Sequence, residues 1–241
     1  MISKKREDQI YFLLNKIKLK DSDIKLIKKN EPLNLEILNE ALTHSSVNPK
    51  KNHERLEFQG DAVLRLAASE YIQNNFPTLS VGERSALRSQ MVSDEWLAKI
   101  GSQINIKDIM LIAPKVLKDS SATKTICAEA TEALIGAMYE CLRNIDSIQS
   151  WLAPHWDQES KKVLEDPYKQ NPKSALQEWS QGQGLNKPMY TIKEVSKLHG
   201  DLKRFYCKVH IKEKLMGEGW GSSRKKAAKE AAKASLNKLN T

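Results

Sequence analysis

The chain has 241 residues, 40% of them hydrophobic and 29% charged, which suits a soluble globular protein with one large domain or two modest ones. The apolar run at residues 10–14 is too short for a signal peptide or membrane span, and the three cysteines lack zinc-type pairing, so we expect a cytoplasmic protein. A net charge of +9 indicates a polyanionic partner.

The first part of the chain is predicted to be all-α. Apolar residues at helical spacing predict two short helices within residues 7–30, a third at 35–42 and a long one at 52–74. A further helix runs through Leu87 and Trp96 and closes at Gly101, and residues 102–122 are predicted to be irregular. The helix predicted at 124–142 is apolar almost all round, so we expect it to be buried.

The long helix carries an acidic stripe. Glu54, Glu57 and Asp61 fall within about 80° of one another at 100° per residue, whereas Leu56 lies on the opposite side. Three carboxylates on one narrow face repel one another, so we interpret the stripe as facing a site. For Glu54 a surface ion pair with Arg55 or a lysine is an equally good interpretation. Gly60 in mid-helix predicts the close approach of another backbone.

The apolar helix carries a second acidic pair. Glu129 and Glu132 are three residues apart and share one face, which Gly136 keeps open. Buried carboxylates are costly unless they are paired or bound to a metal. If the two helices cross, Glu57 and Asp61 join this pair in a four-carboxylate cluster. Oxygen ligands without His or Cys select Mg²⁺, with Mn²⁺ as a substitute, so the cluster predicts a metal-assisted phosphodiester site.

The C-terminal part of the chain changes in charge and in pattern. Residues 169–241 hold 16 of the 39 Lys/Arg and 6 of the 30 Asp/Glu, a net +10, which leaves −1 on residues 1–168. A helix at 173–182, strands near 189–196, 204–211 and 214–219, and a helix at 223–239 predict an α-β-β-β-α domain. We therefore predict an all-helical domain with the acidic cluster at 1–156, a polar linker at 157–168 and a small α+β domain at 169–241.

Four sequence blocks carry family resemblances. The run Glu54-Arg-Leu-Glu-Phe-Gln-Gly-Asp-Ala-Val-Leu64 and the acidic pair before Ala-Leu-Ile-Gly resemble the ribonuclease III family of double-stranded-RNA endonucleases. Gly217-Glu-Gly219 and Arg224-Lys-Lys226 resemble the double-stranded-RNA-binding domain. The sequence departs from the family at Gln59, where Leu is usual, and at Glu129, where Asp is usual.

The resemblance implies roles for particular residues. It makes Asp61 and Glu132 catalytic, gives metal ligation to Glu57, Asp61, Glu129 and Glu132, and makes Glu54 an accessory acid. Phe58 would enter the partner subunit of a homodimer. Contacts with the RNA duplex would come from a set of polar and basic side chains: Gln177, Glu178, His199, Arg224, Lys225 and Lys229.

We therefore expect an Mg²⁺-dependent homodimeric endonuclease that leaves 5′-phosphate and 3′-hydroxyl ends and processes ribosomal RNA precursors and messages. No membrane and no small-molecule cofactor are expected. A rival hypothesis is a non-cleaving double-stranded-RNA-binding protein that retains the nuclease fold, and Glu129 in place of Asp is the feature that favours it.

Overall fold

A computed structural model describes residues 2–116, 120–165, 172–198 and 201–239, without the side chains of residues 120–122. The chain divides into two compact units, Met1–Ser160 and Lys161–Thr241. Among the helices of the described ranges, none combines the length and the apolar character needed to cross a bilayer.

The first unit is all-helical, as predicted. Its helices, the last of which continues past residue 160, are α1 Lys4–Lys16, α2 Asp21–Lys29, α3 Leu33–Ala41, α4 Glu54–Asn75, α5 Val81–Met91, α6 Asp94–Gln103, α7 Ile106–Ile109, α8 Ser120–Leu142 and α9 Asp146–Glu165. The predicted burial of the apolar helix is confirmed in α8, where Ala130, Leu134 and Met138 are fully buried.

The single helix predicted through Leu87 and Trp96 is wrong, because the chain breaks it into α5 and α6. The hydroxyl of Ser93 accepts a hydrogen bond from the backbone N–H of Trp96 at 3.3 Å and starts α6. A serine at this position satisfies an otherwise unpaired N–H, so a new helix begins there despite the continuous apolar pattern. Gly101 lies inside α6 against α8 and does not end the helix.

Two other segments differ from their predicted secondary structure. Residues 106–109 form the short helix α7 within the stretch predicted to be irregular. Residues 157–165 belong to α9, so the segment predicted to be a linker, residues 157–168, is helical over most of its length. The domain boundaries themselves stay a prediction.

The centre of the first unit is a close contact between α4 and α8. A Cβ built at Gly60 would overlap the backbone carbonyl of Glu132, and one built at Gly136 would overlap the carbonyl of Leu56. The predicted close approach at Gly60 is thereby confirmed. Only glycine at these two positions allows the backbones of α4 and α8 to come this near. The close contact also brings the acidic faces of the two helices together.

The second unit has the predicted α-β-β-β-α order. Its elements are α10 Pro172–Gly182, β1 Met189–Glu194, β2 Phe205–Ile211, β3 Lys214–Gly221 and α11 Arg224–Leu239. The three strands form an antiparallel sheet in the order β1-β2-β3. Alternate residues of β2, including Cys207 and Val209, are buried with the alanines of α11, so one face of the sheet packs on this helix.

We expect Gly60→Ala to lower the free energy of unfolding by about 3 kcal/mol, at the upper end of overpacking costs, because the new methyl meets backbone that cannot move aside. Gly82→Ala is the matched control, since nothing lies within 4 Å of a Cβ built there. Urea unfolding of both variants measures the difference. Equal stabilities of the two variants would contradict the close contact.

Candidate active site

The four predicted carboxylates of α4 and α8 are electrostatically coupled. Burial, followed by the charges of Asp61, Glu57 and Asp94, raises the pKa of Glu132 to about 7, against a smaller opposing effect of Arg65. The pKa of Glu57 is also raised, first by burial and then by the charge of Glu129. The two helices therefore converge on one acidic centre, where each ionised carboxylate opposes the ionisation of its neighbours.

The donor set of this centre fits a divalent cation. Glu57, Asp61, Glu129 and Glu132 are all half-buried, and one carboxylate oxygen each of Glu57 and Glu129 lies with a ring nitrogen of His53 within 4.8 Å of one another. Partly buried carboxylates that repel one another are stabilised by a bound cation, and hard divalent ions prefer oxygen ligands.

Two arginines next to the acidic stripe have different partners. Arg65 donates from Nε to both carboxylate oxygens of Asp61 at 2.9 Å, so Asp61 has a cationic partner on its own helix. Arg55 does not pair with Glu54, as one interpretation expected, because it binds Glu40 at 3.0 Å and Glu140 at 2.7 Å. Glu54 is exposed in the first turn of α4.

The sequence pattern did not indicate His53, which the structure places in the centre. The side chain is 3% exposed, and its Nε2 lies 3.6 Å from Oε2 of Glu57 and 3.5 Å from Oε2 of Glu129. Burial opposes a charge on this ring, but hydrogen bonds to Glu129 and Thr43, together with the charges of Glu129 and Glu57, outweigh it and raise the pKa of His53. The signal available in the sequence was its spacing, four residues before Glu57.

Asp94 was also missed. It begins α6, and its charge contributes to the raised pKa values of Glu57, Glu132 and Arg65. Its place near the centre was not predicted, because the apolar pattern across Ser93 indicates one continuous helix. A Ser-Asp-Glu run before Trp96 was the signal for a helix start.

Phe58 lies beside the acidic stripe and is 85% exposed. Leu66, on the same helix, is 52% exposed. Large apolar side chains exposed to this extent cost free energy in water unless another surface covers them. The structure thus leaves Phe58 available for the predicted contact with a partner subunit.

The second unit presents most of its predicted RNA-binding residues on the surface. Gln177 and Glu178 are exposed on α10, and Arg224 and Lys225 are exposed in the first turn of α11. Lys229, one turn later, is half-buried. His199 lies outside the described residues.

Comparisons with known proteins agree with both units. Residues 34–143 match the family described as Ribonuclease-III-like, and residues 172–239 match the double-stranded RNA binding motif. The chain is 72% identical over 239 residues to Ribonuclease 3 of Prochlorococcus marinus, a similarity that covers 99% of this chain and 96% of that protein. The chain belongs to the ribonuclease III family.

Other ribonuclease III proteins are similar over most of their length. The identity is 35% over 227 residues with Ribonuclease 3 2 of a Synechocystis species, covering 94% of this chain and 90% of that protein. It is 37% over 205 residues with Ribonuclease 3 2 of a Nostoc species, covering 85% of each. The chain is therefore an endoribonuclease of the ribonuclease III family, with a helical nuclease domain and an α-β-β-β-α domain for double-stranded RNA.

We expect Glu132→Gln to stabilise the metal-free ribonuclease III fold at pH 8 by about 1 kcal/mol, a value reduced for solvent screening of a half-buried group. The folded-state pKa of about 7 exceeds the ordinary value of 4.5, so the ionised group destabilises the fold above pH 7. This penalty disappears as the pH falls from 7 towards 4.5, because the folded state takes up the proton first.

Urea unfolding in EDTA at pH 5 and pH 8 measures this effect. The wild type should gain stability at the lower pH relative to Glu132→Gln, since only the wild type has a carboxylate to protonate at this position. Glu159→Gln, on α9, is the control for the substitution itself. A Glu132→Gln variant that is less stable than the wild type at pH 8 would contradict the coupling.

Proposed function

We propose that this ribonuclease III hydrolyses double-stranded RNA at the acidic centre in an Mg²⁺-dependent reaction, with Mn²⁺ as a substitute, and leaves 5′-phosphate and 3′-hydroxyl ends. The observation that carries the proposal is the convergence of α4 and α8. One oxygen of Glu57 and one of Glu129 lie within 4.8 Å of each other, and burial together with the charges of Asp61 and Glu57 raises the pKa of Glu132. These four carboxylates would hold the metal, and Glu54 would be an accessory acid at the edge of the centre.

Asp61 and Glu132 have the catalytic roles in this proposal. A carboxylate oxygen next to the scissile phosphodiester can orient the attacking water and accept its proton. When bound, the divalent ion supplies positive charge to the attacked phosphate and lowers the pKa of water. Arg65 holds Asp61 with both carboxylate oxygens engaged, which limits the rotamers that this side chain can adopt.

The small α+β domain supplies affinity for the duplex. We propose that Gln177 and Glu178 contact sugar hydroxyls in one minor groove, that His199 enters the next, and that Arg224, Lys225 and Lys229 bind phosphates between them. Exposed cations at the start of α11 support this proposal. Recognition of this kind reads the shape of A-form RNA and not its sequence.

We further propose a homodimer in which Phe58 enters the partner subunit, so that two acidic centres act on one duplex. The exposure of Phe58 beside the acidic stripe supports this arrangement. The cellular role that we propose is cytoplasmic processing of ribosomal RNA precursors and messages, which rests on the family resemblance.

We expect Asp61→Asn to lower cleavage of a long RNA duplex in Mg²⁺ by at least about a hundredfold, because the amide cannot replace a negatively charged ligand and base. Duplex binding should stay within about twofold of the wild type, since the binding residues are in the other unit. Gel assays of cleavage and filter binding measure the two effects. Asp108→Asn, an exposed acid on α7, is the matched control.

Full cleavage by Asp61→Asn would contradict the assignment of the centre. The same assay addresses the non-cleaving rival, which depends on Glu129. A wild type that binds the duplex but does not cut it in Mg²⁺ or Mn²⁺, together with a Glu129→Asp variant that does cut it, would support the rival.

We expect Phe58→Ala to weaken self-association by about 3 kcal/mol or more, because truncation of a Phe that is buried in an interface removes its packing. Sedimentation velocity across a concentration series measures the dimer constant. Phe12→Ala is the control, since Phe12 is also exposed, at 60%, but lies on α1. A monomeric wild type at micromolar concentration would rule out the proposed dimer.

We expect Lys225→Ala to lower the slope of log K against log salt for duplex binding by about 1, because one phosphate contact is lost. Lys238→Ala removes the same charge from the other end of α11 and should leave the slope unchanged. Fluorescence anisotropy between 50 and 300 mM salt gives both slopes. Identical slopes for the two variants would mean that net charge alone attracts the RNA.

A further inference from the structure

His53 enters the acidic centre from the loop that precedes α4. Its backbone N–H donates to the carbonyl oxygen of Thr43 at 2.9 Å, and its ring Nδ1 lies 3.2 Å from the same oxygen. A carbonyl oxygen only accepts hydrogen bonds, so Nδ1 carries a proton and donates it. In the neutral ring the lone pair is then on Nε2, which faces Glu57 and Glu129.

Three electron-pair donors therefore converge on one point. The Nε2 atom and one oxygen from each of Glu57 and Glu129 all lie within 4.8 Å of one another. Two donors can share one first-row ion when they are up to about 4.4 Å apart, since each bond would measure about 2.0–2.2 Å. Nε2 lies 3.6 Å and 3.5 Å from the Oε2 atoms of Glu57 and Glu129, within that limit. A histidine whose other nitrogen donates to a backbone carbonyl is the usual form of a metal-bound imidazole in proteins.

The ring is also fixed in place. It stacks on His44 with the ring centroids 5.3 Å apart and an angle of 20° between the planes. His44 is itself held, because its Nδ1 accepts from the backbone N–H of Ser46 at 3.0 Å. A ring that is stacked, buried and hydrogen-bonded loses little further freedom on binding an ion, which favours ligation.

We infer that His53 is a nitrogen ligand of the metal centre and that it makes this centre favour Mn²⁺ over Mg²⁺, an inference that rests on the proposed metal-dependent function. Mg²⁺ is bound almost entirely through oxygen, whereas first-row transition ions accept imidazole nitrogen. Glu129, where the resemblance expects Asp, has its Oε2 atom 3.5 Å from Nε2 of His53.

The direct test is electron paramagnetic resonance of Mn²⁺ bound to the full-length protein after removal of metal with EDTA. Electron spin-echo modulation is recorded from protein of natural isotope abundance and from protein in which histidine is labelled with ¹⁵N, and the two results are compared. Coupling to a histidine nitrogen, changed by the label, is expected from the wild type and needs no variant. Its absence from Mn²⁺-loaded wild type would overturn the inference.

Variants test the selectivity. We expect His53→Asn to lose the nitrogen coupling and to weaken Mn²⁺ binding by about tenfold to a hundredfold, with less than about threefold change for Mg²⁺ measured by competition. His155→Asn, a half-buried histidine on α9, should match the wild type in both. Unchanged Mn²⁺ selectivity in a folded His53→Asn protein, with folding checked by circular dichroism, would overturn the inference.

Cleavage assays keep this inference separate from the proposed function. Duplex cleavage in Mg²⁺ by a wild type without nitrogen coupling would leave the function standing and reject His53 as a ligand. Nitrogen coupling in a protein that cuts no duplex in either ion would support the ligand and reject the function.

Discussion

The backbone contact of α4 with α8 is the constraint on which the nuclease unit depends. Gly60 and Gly136 face the opposite helix with no side chain between them, and each would overlap a carbonyl if it carried a Cβ. Helices separated by ordinary side chains lie about 8–10 Å apart, and a separation in that range would spread the acidic residues. The glycine pair therefore decides both the packing of the unit and the spacing of its carboxylates.

This packing has an electrostatic consequence. Burial raises the pKa values of Glu57 and Glu132, and the mutual repulsion of the carboxylates adds to this effect. Arg65 and His53 offset part of it from within the chain. A cluster of this kind lowers the stability of the metal-free fold and raises its affinity for cations, because the same repulsion is relieved by binding. Stability is thus exchanged for metal affinity at the residues that the proposed reaction uses.

The sequence predicted those features that depend on local pattern. The α-β-β-β-α order follows from alternation and turn residues, and the acidic faces follow from helical spacing, since both are properties of one element at a time. The break at Ser93 was missed because the apolar pattern continues across it. The new helix depends instead on one hydrogen bond, from the backbone N–H of Trp96 to the hydroxyl of Ser93.

The place of His53 could not be predicted from the sequence for another reason. The residue lies at the start of α4, and its orientation is decided by the carbonyl of Thr43 from the preceding loop. The charge of Asp94 likewise acts on the centre because of the position of α6 as a whole. The spacing of four residues places His53 near Glu57, but the approach of His53 to Glu129 and of Asp94 to the centre depends on how separate elements pack. Element types were therefore accessible from the sequence, whereas the complete residue set of the centre was not.

The distribution of charge connects the two units. Residues 1–168 carry a net −1 and residues 169–241 a net +10. An RNA duplex is a polyanion, so its phosphates are attracted by the second unit and repelled by the carboxylates of the first. A divalent cation at the acidic centre reverses that local repulsion. Metal loading should therefore affect the approach of the phosphodiester to Asp61 and Glu132, the proposed catalytic residues, as well as the bond-breaking step, while overall duplex affinity remains a property of the basic unit.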